Sequence, residues 1–207
     1  MTLELVKKDL KVEKRSKASL NQMLIFALTT AFLFSLSIDA EKFFAQILIL
    51  VTLFSSILAC SVTVIREFDF ETIEALKASL SAQEIIVAKI FSNFLIVLSL
   101  LSIITPACYA LFNLHGNFSL IFLSLLIASF PISTAITLLS PISVFARGRE
   151  MLLPAILFPI VFPVILPAIK LLSLSYNGLF DFFSSLFLLS YTGIIFTIAL
   201  LLSDYLF

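Results

Sequence analysis

The 207-residue chain is 61% hydrophobic, with 23 phenylalanines, only 13% charged residues and a mean hydropathy of +1.17. Soluble domains run near a quarter charged, so this composition excludes a water-soluble globular protein and indicates an integral membrane protein. The net charge of zero says little by itself, because in a membrane protein the distribution of Lys and Arg along the chain carries the information.

The chain opens with "TLELVKKDLKVEKRSK". Residues 1–19 read as an amphipathic interfacial helix on the inner membrane surface, with Leu3, Val6 and Leu10 on its apolar face and lysines around the rest. A solvated basic tail that only sets topology is the plainer reading. A membrane span needs about 20 apolar residues. Six segments qualify, at about 20–38, 43–65, 90–112, 118–145, 151–169 and 182–203, and none holds Asp, Glu, Lys, Arg or His. The first lacks a small-residue cleavage site and is long enough to span, so it reads as retained. The segments are too long and too continuously apolar for outer-membrane strands. The expected fold is therefore an all-α membrane protein, a single permease-like domain over 1–207 with six transmembrane helices.

One set of loops holds Lys7, Lys8, Lys11, Lys14, Arg15, Lys17, Arg66, Lys77, Lys89, Arg147 and Arg149, and the other holds only Lys42 and Lys170. The positive-inside rule then puts both termini in the cytoplasm of an inner-membrane protein. The outer loops are short, at 39–42, 113–117 and 170–181.

Between the second and third spans lies "REFDFETIEALKASLSAQEIIVAK", residues 66–89, with eight charges. At about 2.5–3.5 kcal/mol each, burying them in lipid would cost on the order of 20 kcal/mol. The stretch has no Gly or Pro, so it is not a flexible linker. Ile73, Leu76 and Leu80 recur at helical spacing, and Ser81 with Glu84 forms a capping-box signature beside a Leu80/Ile85 staple. The reading is a short cytoplasmic helix at about 69–79, a break, and a new helix from Ser81 into the third span. Its acidic face would be repelled by an anionic inner leaflet, which favours contact with a protein.

The stretch "RGREMLLPAILFPIVFPVILPAIK", which contains the fifth span, carries Pro154, Pro159, Pro163 and Pro167 on one side. Proline removes backbone bonds and kinks a helix. That predicts a deformable, gate-like element whose freed carbonyls pack into the bundle interior; a static kink is the alternative.

The missing chemistry narrows the function. No span holds an ionisable group, which argues against ion-coupled transport. No G-x-x-x-x-G-K-[ST] loop occurs, so ATP chemistry would come from a partner. No catalytic triad or metal cluster appears, and Cys60 and Cys108 read as buried thiols. His115, the only histidine, is the one candidate haem ligand, although a lone loop histidine is more often simply solvated. The expectation is no enzyme, no directly bound cofactor or metal, and no nucleic-acid partner.

Two stretches carry a family resemblance. In "FETIEALKASLSAQEIIVAK", Thr72, Ile73, Glu74, Leu76, Ala88 and Lys89 match an acidic-(S/T)-(L/I)-E-x-L … A-K pattern. In "ARGREMLLPAILFPIVFP", Arg147, Gly148, Arg149, Glu150, Leu152, Leu153, Pro154, Pro159 and Pro163 match R-(G/A)-R-E-x-L-L-P … P-x-x-x-P. The chain resembles the CcmB family, haem exporter protein B of cytochrome c maturation, with the fold of a type 2 ABC permease. It departs from the family pattern at Glu71 and at Ser79–Ser81, which leaves the shape of that turn open. The resemblance implies a permease subunit beside a separate CcmA-like ATPase, CcmC-like and CcmD-like membrane proteins and a CcmE-like haem chaperone, with ATP on the partner and haem as candidate substrate. It also implies a homodimer. ATP hydrolysis would drive haem export or release of the loaded chaperone. On this reading Glu67, Asp69, Glu71, Glu74 and Leu76 dock the ATPase, with Arg147, Arg149 and Glu150 of the second cytoplasmic loop assisting. The alternatives are a type 2 permease for a drug, lipid or polysaccharide, and a scaffold that transports nothing.

Overall fold

The computed structural model describes residues 2–15, 17–37, 39, 41–69, 72–144 and 149–206. Among these there are eight helices and no strand: α1 (Thr2–Arg15), α2 (Lys17–Ser37), α3 (Phe44–Asp69), α4 (Thr72–Lys77), α5 (Ala82–Leu111), α6 (Phe118–Val144), α7 (Arg149–Tyr176) and α8 (Phe182–Leu206). Four of them are long and apolar enough to cross a membrane, over Ala82–Leu111, Phe118–Ser143, Leu153–Tyr176 and Phe182–Leu206. The apolar parts of α2 and α3 are shorter, Asn21–Leu36 and Phe44–Ala59. At a rise of 1.5 Å per residue, the 30-residue α5 is about 45 Å long, more than the ~30 Å hydrocarbon core.

The centre of the bundle is α6, which packs against α3, α5, α7 and α8. Every residue from Pro131 to Pro141 is buried. This helix is rich in Ser, Ala and Thr, and small side chains let neighbouring backbones approach closely in a membrane bundle. Their hydroxyls are satisfied locally: Thr137 and Ser140 donate to the carbonyls of Ser133 and Ile136. Side-chain bonds also tie α6 to its neighbours. Asn93 of α5 donates its amide to Thr137 at 2.9 Å, and the hydroxyls of Ser124 and Ser175 join α6 to α7 at 2.6 Å.

The sequence put α7, with its prolines, in the interior, and here the structure differs. The helix is continuous through all four prolines. Pro154, Pro159 and Pro163 lie on the exposed side and Pro167 is half-buried, while Leu153, Leu157, Val161, Val164, Ala168 and Leu171 face the core. Phe158 and Phe162 stand on the same exposed side, and the slimmer α6, whose own Pro131 and Pro141 are buried, fills the middle. The same helix runs past residue 169 to Tyr176, so Lys170 stands within it. That lysine is exposed and paired with Asp181 at 3.0 Å, so its charge does not oblige the helix to end.

At the end of the bundle away from α4, three turns meet. Tyr176 of α7 donates to Glu41 at 2.8 Å and tilts against the Phe44 ring. Tyr109 of α5 donates to the carbonyl of Gly116, and the Asn117 amide donates to the Tyr176 carbonyl. A Cβ on Gly116 would stand 2.4 Å from Tyr176 Cδ2 and 2.8 Å from the Tyr176 carbonyl oxygen. Backbone cannot yield as a flexible side chain does, so Gly116→Ala is expected to destabilise the protein by about 1–3 kcal/mol. A lowered thermal midpoint in detergent would register it, and an unchanged midpoint would count against this packing.

Candidate functional site

The short helix α4 follows α3 in the chain and packs on it, and its Ile73 is buried. Glu74 is exposed and Leu76 half-buried, so the helix presents an acidic group beside a partly open apolar one. The turn that follows has a defined shape. The Leu76 carbonyl accepts from the amides of Ser79 and Leu80 at 3.0 and 2.9 Å, and from the Ser79 hydroxyl. Ser81 then extends (φ −71°, ψ 152°) and caps α5. The expected capping box is present. Glu84 donates its amide to Ser81 Oγ, and the Ser81 amide donates to Glu84 Oε2 at 3.1 Å. This reciprocal pair satisfies two otherwise orphaned amides.

The other expected docking residues fall differently. Glu67 and Asp69 are on the last turns of α3, which continues to residue 69, and not on the short helix expected from about 69. Glu71 and Arg147 lie outside the described residues, while Arg149 and Glu150 begin α7. The structure thus brings together Glu74 and Leu76, with α3 leading in and α5 leading out.

A feature the sequence reading missed lies close by. Lys89, two turns past the Ser81 cap, is among the largest fully buried side chains, at 2% exposure. Its ammonium meets Asp9 of α1 at 2.7 Å, and Ser92 donates to the same carboxylate oxygen at 3.2 Å. Asp9 is 7% exposed, with Lys8 at its rim 3.8 Å away. The buried stripe of α1 is Leu5, Asp9 and Glu13, while Leu3, expected on the apolar face, is 74% exposed. So α1 packs along α5 by a face that carries acids. The i, i+4, i+8 spacing of Leu5, Asp9 and Glu13 is the signal that could have been read. Nothing in the sequence says which lysine, 80 residues away, it meets.

His115 is exposed on the α5–α6 turn. Among the described residues no three His, Cys, Asp or Glu side chains gather as a metal site. Near this end a cleft of about 530 Å³ is lined by Ser35, Asp39, Glu41, Lys42, Leu111, Phe112 and Asn113. On the flank, an apolar crevice of about 350 Å³ opens between α3 and α7, with Phe54, Leu53, Pro154 and Phe158 in its walls. Across the last turn, Asp181 caps α8. The Ser184 hydroxyl and then Lys170 hold its carboxyl below the usual carboxylate range. None of these groups is arranged as a nucleophile with a base.

Compared with known proteins, the chain matches the family described as CcmB protein over residues 1–204. No curated protein matches it.

Proposed function

The chain belongs to the CcmB family, permease subunits of an ABC transporter in cytochrome c biogenesis, and from that premise we propose that it converts ATP hydrolysis on a separate CcmA-like subunit into movement of its own helices. The carrying observation is α4. It is a short helix with exposed Glu74 and half-buried Leu76, packed on α3 and followed after a tight turn by the Ser81–Glu84 box that starts a long apolar helix. A push on α4 would pass into α3, against which it packs, and from α3 into the central α6, to which α5 is also tied through Asn93–Thr137. Arg149 and Glu150, at the start of α7, sit at the head of a second helix that an ATPase could reach.

In this reading α2 and α3 join the four long helices to make six spans, both termini face the cytoplasm, and two copies form the working permease. The lopsided distribution of Lys and Arg supports that orientation. CcmC-like and CcmD-like proteins and a CcmE-like chaperone are the expected neighbours. The substrate process is haem export or release of the haem-loaded chaperone, with His115 the one histidine able to touch haem. Replacing the P-loop lysine of the co-expressed ATPase is expected to abolish holocytochrome c formation while the subunits still copurify. Normal cytochrome maturation with that dead ATPase would leave a scaffold role in place of a coupled permease.

A further inference from the structure

Three turns close the end of the bundle that the Tyr176 contacts tie together, and they differ in kind. The α2–α3 turn exposes Asp39, Glu41 and Lys42, and the α5–α6 turn exposes Asn113, His115 and Asn117. These are surfaces made for water. The α7–α8 turn exposes Leu179, Phe180, Phe182 and Phe183, the last at 82%.

That turn also leaves little that needs water. Gly178, at φ +78°, donates its amide to the Ser175 carbonyl, and Leu179 donates to the Leu174 carbonyl. These two bonds close the end of α7 in a Schellman arrangement and satisfy its last carbonyls. The Asn177 side chain donates back to the Ser173 carbonyl. The one acid, Asp181, is 9% exposed; it accepts from Ser184 at 2.7 Å and meets Lys170 at 3.0 Å. An irregular segment can enter an apolar medium only where its polar groups are satisfied within the protein; the end of α7 is closed in this way, and the remaining backbone of 177–181 stays at headgroup level while the aromatic side chains reach below it. Lys170, six residues inside α7, reaches along the apolar surface so that its ammonium meets Asp181 at the turn, and the two charges mark the polar boundary there. The aromatic surface continues without a break onto the exposed face of α8 through Leu186 and Phe187, the face a span turns to lipid.

We infer that the α7–α8 turn is an interfacial anchor, with Phe180, Phe182 and Phe183 inserted among the acyl chains of the leaflet opposite α4. Its occupant is phospholipid. Soluble partners on this side are then left with the two polar turns and the cleft between Asp39 and Asn113. The inference stands on the turn's own chemistry and does not depend on the ATPase reading.

The chain contains no tryptophan, so a single introduced indole reports its own surroundings. The full chain carrying Phe183→Trp, Leu179→Trp or His115→Trp would be placed in liposomes of phosphatidylcholine brominated on its acyl chains. Both Phe183→Trp and Leu179→Trp are expected to emit at short wavelength, lose most of their emission to bromolipid and resist aqueous iodide. His115→Trp is expected to do the reverse. If Phe183→Trp and Leu179→Trp are quenched by iodide as His115→Trp is, the turn lies in water and the inference is overturned. If neither quencher reaches them, protein covers the turn, and the inference is equally overturned.

Discussion

Replacing Lys89 by Met is expected to destabilise the docking of α1 by about 3–5 kcal/mol, because it strands the Asp9 carboxylate in a site with little water. The pair is nine-tenths or more buried on both sides, at 2% for Lys89 and 7% for Asp9, so the surface-ion-pair discount does not apply. Ser92 still donates to the carboxylate, but a single hydroxyl does not replace an ammonium. The chain has an escape: α1 can swing off α5 and return Asp9 to water. The loss should therefore appear as local undocking before global unfolding. Trypsin cleavage at Lys7, Lys8 and Lys11, exposed on the outer side of α1, should accelerate strongly. The double replacement Asp9→Leu with Lys89→Met removes both charges and should recover most of the loss, since an apolar pair of similar volume is often as stable as a buried ion pair. Equal protease resistance in wild type and Lys89→Met would dismiss the pair as a structural element.

The second large effect concerns partner docking. Glu74→Lys combined with Leu76→Asp reverses the exposed charge of α4 and places an acid where a half-buried leucine stood. At an interface, an unpaired or like-charged group costs about 2–5 kcal/mol, which is roughly 30-fold or more in affinity. ATPase copurification should weaken accordingly, and holocytochrome c should fall to background. The amount of chain in the membrane should hold, because neither residue is in the core of the bundle. Ile73, which is buried, is the control: Ile73→Ala should lower stability without reversing any charge. Unchanged ATPase association and normal cytochrome levels in the Glu74/Leu76 variant would remove α4 from the docking surface.

The sequence carried much of this in local form. The capping box at Ser81–Glu84 was readable because its partners are three residues apart and its chemistry is specific. The short helix before it was readable from the absence of Gly and Pro. The departure from the family pattern at Ser79–Ser81 resolved into a wrap around the Leu76 carbonyl. What stayed hidden depended on distant pairing. The rotation of α1 was set by Lys89, and apolar periodicity alone pointed to Leu3, which turned out exposed. The place of α7 was misjudged by weighing its prolines over the small residues of α6. A helix of Ser, Ala and Thr gains from close neighbours, because its small side chains let other backbones approach. That signal was on the page, in "LLIASFPISTAITLLSPIS".

The unbroken burial of α6 from Pro131 to Pro141 bears on how the chain tolerates genetic variation. In α8 the buried positions, Ser184, Ser185, Leu188, Thr192, Ile195, Ala199, Ser203 and Leu206, recur at helical intervals. Saturation mutagenesis across α8 should yield a periodic profile, with permissive residues between constrained ones. Across 131–141 no such rhythm is available, since each turn meets a neighbour on every side. Larger side chains there should be rejected at successive codons, leaving a flat, silent window in the middle of an otherwise rippled map.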